Sequence, residues 1–95
     1  KIVAVYLEDA PRLIAQLERA AVGNDPIALR VAAHTLKSSS ANVGATTLAD
    51  AARDLETGAR DGTLTQPATA VARIVGEFAQ VRAALQAQLA SNGAG

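Results

Sequence analysis

Apolar residues recur at intervals of three and four along most of the chain, the spacing of amphipathic helices. Residues 2–8 are mostly apolar and run into Asp9-Ala10-Pro11, where a proline suits only the first turn of a helix. A short leading helix followed by a break is predicted there. From Arg12 the pattern Leu13, Ile14, Leu17, Ala20, Ala21 predicts a helix ending near Val22, with Glu8 and Arg12 spaced to pair across one turn. Gly23-Asn24-Asp25-Pro26 then interrupts: Gly23 suits a C′ position, Asp25 can cap the next helix, and Pro26 fits its first turn. That helix is predicted from Pro26 to about Asn42, with Gly44 taking the left-handed conformation that ends many helices.

A third helix, capped by Thr46 or Thr47, would bury Leu48, Ala51, Ala52, Leu55 and Ala59 and close at Arg60-Asp61-Gly62. Thr65-Gln66-Pro67 opens a fourth with a capping hydroxyl, and Val71, Ile74, Phe78, Val81, Leu85 and then Gln88 or Leu89 form its seam. The economical architecture is all-α: an up-down-up-down four-helix bundle with a short extra N-terminal helical segment. The bundle is assigned to residues 1–90, and residues 91–95 are expected to be a flexible C-terminal tail.

Composition narrows the function classes. A chain of 95 residues with 49% apolar and 19% charged residues is globular, and it has no Cys for disulfides or thiolate metal sites. Nine basic and nine acidic residues are scattered to a net charge of zero, which provides no electrostatic footprint for nucleic acid or an anionic membrane. No apolar run approaches the roughly 20 residues that span a bilayer, and no signal-peptide pattern is present. A cytoplasmic protein is expected. The chain contains no Met and opens at Lys1 within an apolar pattern, as expected of a piece of a longer protein.

Candidate chemistry converges on Ala33-His34-Thr35-Leu36-Lys37-Ser38-Ser39-Ser40-Ala41-Asn42-Val43-Gly44, which holds the single histidine. On a helix, Leu29, Ala32, Ala33, Leu36, Ser39, Ser40 and Val43 share one side, and His34 points almost the opposite way into solvent. Arg30 and Lys37 lie one turn to either side of it, with Ser38 and Ala41 one and two turns beyond. Imidazole is a usable nitrogen nucleophile at physiological pH and can accept a phosphoryl group without an activating base. Nearby cations would stabilise the anionic product by ~1 kcal/mol once exposure is discounted.

There is no Gly-rich phosphate loop, no Walker lysine, and no second His or Cys at metal-ligand spacing. No cofactor is expected, and no autonomous kinase or ATPase activity. Ser39 and Ser40 turn toward the core, so a hydrolase triad is not assembled. The small side chains at Ser38 and Ala41 suggest that another protein approaches the ring and supplies the remaining chemistry.

His34-Thr35-Leu36-Lys37-Ser38 followed by Ala41-Asn42-Val43-Gly44 strongly resembles the phosphoacceptor motif of histidine-containing phosphotransfer domains. That pattern is His-x-x-Lys-Gly with a further Gly ten residues after the His, on the second helix of a four-helix bundle. The resemblance implies that His34 is the phosphorylated residue, Lys37 the cation beside the phosphate, and Gly44 the helix-terminating glycine. It implies receiver domains of response regulators as partners, whose own aspartate and Mg²⁺ carry out the transfer, with Arg30, Ser38 and Ala41 facing the docked receiver. It also fits a segment of a hybrid sensor kinase and a monomer. Ser38 stands where the family usually has Gly; serine is small, and its hydroxyl can bond back to the carbonyl of His34.

Two other readings are weighed against this one. A helical interaction or dimerisation bundle, including an inactive phosphotransfer relative, would make His34 and Lys37 ordinary surface residues. The dimerisation and phosphoacceptor region of a histidine kinase typically has an acidic residue straight after the histidine and a proline shortly beyond. Here Thr35 follows, and no Pro comes until Pro67.

Overall fold

The computed structural model describes residues 2–94. Four helices account for nearly all of them: α1 Ile2–Val22, α2 Pro26–Asn42, α3 Thr46–Asp61 and α4 Pro67–Ala94. Short connections force successive helices to run antiparallel. Each helix packs on its neighbours in the chain and α4 closes on α1, while among the described residues the backbones of the diagonal pairs stay apart, which is the square array of an up-down-up-down bundle. The body measures 48 × 19 × 18 Å.

The predicted leading segment is not separate. α1 continues through Pro11 and buries Tyr6, Ala10, Ile14, Leu17 and Ala20 along one unbroken stripe. Pro11 lies on the exposed side, so the carbonyl of Leu7 that loses its helical donor can turn to water. A proline inside a helix costs about 3 kcal/mol. Burying Tyr6 and Ala10 with the partly buried Val3 and Leu7 returns more than that at about 1.5–3 kcal/mol per large apolar side chain, so the helix persists. Glu8 and Arg12 are exposed and do not form the predicted ion pair.

The helix ends combine predicted and unpredicted devices. Asp25 Oδ1 accepts a hydrogen bond from the Ala28 amide at 3.1 Å and caps α2, as its position before Pro26 predicts. At the end of α1 the left-handed residue is Asn24 (φ 51°), not Gly23. The amides of Asn24 and Asp25 donate to Ala21 and Ala20, which closes the helix in a Schellman arrangement one residue later than the glycine suggested. α3 starts after Ala45 with no side-chain cap, so neither Thr46 nor Thr47 plays that part, and no hydroxyl of Thr65 caps α4.

Buried Leu, Ile and Ala residues from all four helices form one core. On α2 the buried face is Leu29, Ala32, Ala33, Leu36 and Ser40; on α3 it is Leu48, Ala49, Ala51, Ala52, Leu55 and Ala59. Alanines dominate where these two faces meet, so their backbones come close, and α2 and α3 share the most extensive contact in the bundle. On α4, Val71, Ile74, Phe78 and Leu85 are buried, while Leu89 is 40% exposed. α4 continues as helix to Ala94, into the stretch predicted to be a tail; Gly95 lies outside the described residues.

Candidate functional site

His34 lies near the middle of α2 with its side chain 61% exposed, on the side away from the core. The neighbouring residues fix this orientation: Ala33 and Leu36 are fully buried, so the helix cannot rotate His34 inward without exposing them. Ser40 is buried too, and its hydroxyl pairs with that of Tyr6 at 2.9 Å across the α1–α2 contact. Ser39 donates to the Leu36 carbonyl. Both serines are therefore occupied structurally, as their positions on the helix predict.

The exposed ring has a partner that sequence spacing did not reveal. Glu56 of α3 reaches across the close α2–α3 contact and accepts a hydrogen bond from Nδ1–H of His34 at its Oε2, 2.7 Å away. Its other oxygen, Oε1, accepts a hydrogen bond from the Lys37 ammonium, also at 2.7 Å. One carboxylate, only 15% exposed, thus holds both the ring and the cation one turn beyond it. The Lys37 hydrogen bond is the main reason that the Glu56 carboxyl is held below the usual carboxylate range; burial opposes it and the His34 hydrogen bond assists.

An ionised carboxylate can only accept, so in the neutral ring Nδ1 carries the proton and Nε2 keeps its lone pair. Nε2 has no hydrogen-bond partner among the described residues. The site offers a fixed imidazole with an unoccupied nucleophilic nitrogen.

The other predicted site residues fall in different places. Lys37 is close, but it is engaged by Glu56 rather than free beside the ring. Arg30 makes no ion pair among the described residues and lines a shallow depression with Val31, His34, Thr35 and Glu56. Ser38 and Ala41 are exposed on the His34 side of α2, which leaves the approach unobstructed. Ser38 does not bond back to the His34 carbonyl; it is Thr35 that bonds backward, to Val31 at 3.3 Å. Gly44 has φ 78° just past α2, and the amides of Gly44 and Ala45 donate to Ala41 and Ser40, so it terminates the helix as predicted. Ile27 and Val31, 67% and 57% exposed, extend the His34 face with apolar surface. Their helical spacing from His34, seven and three residues, was the signal that could have drawn them into the site.

Among the described residues no helix is long and apolar enough to cross a membrane. Comparison with known proteins agrees with the geometry. The family model described as Hpt domain matches residues 1–90. Among solved structures, histidine-containing phosphotransfer protein B (HptB) from Pseudomonas aeruginosa PAO1 superposes with a TM-score of 0.88 at 31% identity, over 92% of this chain and 76% of that one. A search of curated proteins returned no match. An outward histidine midway along the second helix of a four-helix bundle, the residues around it and these two matches lead to one conclusion: the chain belongs to the Hpt domain family.

Proposed function

We propose that this domain is a phosphorelay intermediate in two-component signalling that carries a phosphoryl group on Nε2 of His34 and exchanges it with the aspartate of a receiver domain. Family membership supports the phosphotransfer role, and the observation that carries the finer reading is the Nδ1–H hydrogen bond to Glu56, which leaves Nε2 as the nucleophile. In the accepting direction the Nε2 lone pair attacks phosphorus, an Nε2–P bond forms, and the bond between phosphorus and the receiver's aspartyl oxygen breaks, returning a carboxylate. The reverse step restores the free ring. Lys37 provides positive charge beside the phosphoryl group, and Arg30, Ser38 and Ala41 face the receiver, with Ile27 and Val31 extending that face.

The receiver's own Mg²⁺ serves the transfer, and this chain is proposed to need no cofactor and to have no kinase or ATPase activity of its own. A monomer on the cytoplasmic side, free or joined to a sensor kinase through further sequence, fits this role. Incubation with a phosphorylated receiver tests it: acid-labile, base-stable label is expected on the domain and absent from His34→Gln. Receiver binding without label, indifferent to His34→Gln, would instead identify an interaction module.

A further inference from the structure

We infer that Arg30 binds the phosphoryl oxygens of phosphorylated His34: the two side chains line one depression, and the guanidinium makes no ion pair among the described residues. The inference rests on His34 being the phosphoacceptor, and it gives Arg30 a role in the phosphorylated domain before any receiver docks.

The two cations beside the ring are not equivalent. Lys37, three residues after His34, donates to Glu56 Oε1 at 2.7 Å, so its charge is already matched. The other oxygen of Glu56 accepts from the ring. Arg30 lies one turn before His34, and the residues three and four positions from it on α2 are Pro26, Ile27, Ala33 and His34, none of them acidic. Arg19 and Asp25 line a separate groove between α1 and α2 that meets the depression at Val31, and Asp25 is engaged in capping α2. The exposed guanidinium therefore keeps an unmatched charge beside the ring. The depression itself is lined by Arg30, Val31, His34, Thr35 and Glu56, without Lys37. Helical side chains lean toward that side, over the turn N-terminal to their own Cα.

A phosphoryl group brings about two negative charges and three acceptor oxygens to the ring. A guanidinium presents planar N–H donors that engage two of those oxygens at once, where an ammonium acts as a point charge. Binding to the fully ionised phosphoryl group lowers its affinity for a proton and stabilises the phosphorylated domain over the free one. Contacts made only to a docked receiver cannot do this, because they are absent from the dissociated protein.

The small donor phosphoramidate allows a test without a receiver: its P–N bond breaks and ammonia leaves as the Nε2–P bond forms. Phosphorus-31 NMR of the phosphorylated domain, titrated across neutral pH, is expected to show the phosphoryl group losing its last proton at lower pH in the wild type than in Arg30→Gln. The expected difference is about half a pH unit, a threefold change in ionisation constant and the size of a partly exposed charge pair. Arg30→Lys is expected to recover part of it. Arg30 is exposed and both replacements are good helix formers, so α2 stays folded in each variant. Equal titration in the wild type and Arg30→Gln overturns the contact and leaves Arg30 a receiver-docking residue. Absence of any phosphohistidine in the wild type instead overturns the phosphoacceptor reading on which the inference rests.

Discussion

Glu56 of α3 and His34 of α2 are joined by a 2.7 Å hydrogen bond between the two helices that share the most extensive contact in the bundle. The close approach of those helices lets a short carboxylate side chain reach an exposed ring. Packing and chemistry are linked at this point, and several measurable consequences depend on it.

The lowered titration of Glu56 makes part of the domain's stability pH-dependent. A carboxyl whose folded value lies below its unfolded value stabilises the fold above the unfolded value, near ~4.3 for Glu, and loses that contribution as pH falls through the folded one. Urea denaturation of wild type and Glu56→Gln is therefore expected to show the wild type more stable at pH 7, with the gap closing below about pH 4. A gap that widens on acidification contradicts the assignment.

Lys37→Ala removes a cation from the reacting face while leaving α2 intact, since its side chain is only partly buried. Receiver-dependent transfer is expected to slow several-fold, in keeping with about 1 kcal/mol for an incompletely buried charge pair. The deficit should shrink as salt is raised, because the wild type loses the same attraction by screening. Transfer rates of the two proteins at low and high ionic strength provide the check.

Tyr6 and Ser40 form a buried hydroxyl pair, and Ser40 is fully shielded from solvent. Tyr6→Phe leaves the serine hydroxyl unsatisfied and is expected to cost about 1–3 kcal/mol. Adding Ser40→Ala to it should recover part of that loss, a coupling that a double-mutant cycle measured by denaturation would report. Phosphotransfer per folded molecule should be unchanged in all three variants.

Gly44 takes φ 78° at the end of α2, and a Cβ there would meet no neighbour. The cost of Gly44→Ala is thus backbone strain alone, about 1–2 kcal/mol, without a packing penalty. Thermal unfolding should show it as a fall in Tm, and Gly44→Asn should lose less, because Asn tolerates the left-handed region, as Asn24 does at the end of α1.

The helices and the outward His34 were legible because both depend on local spacing: Leu29, Ala33, Leu36 and Ser40 define the buried side of α2, and the histidine lies opposite. Asp25 was legible for the same reason, its cap being three residues from its target. Pro11 was misleading because a local preference worth about 3 kcal/mol lost to burial spread along the whole of α1. The cap at Asn24 and the uncapped start of α3 depend on one-residue differences in backbone path that residue preferences do not resolve. Glu56 was the largest omission. As one acidic residue among nine it has no local mark, and only the offset between α2 and α3 brings it to the ring.

The attachment site of the phosphoryl group tests the central claim most directly. Nitrogen-15 and phosphorus-31 NMR of the domain phosphorylated by a receiver should show the phosphoryl group on Nε2 of His34, with Nδ1 still bonded to Glu56. Phosphorus on Nδ1, or on any residue other than His34, would contradict the account.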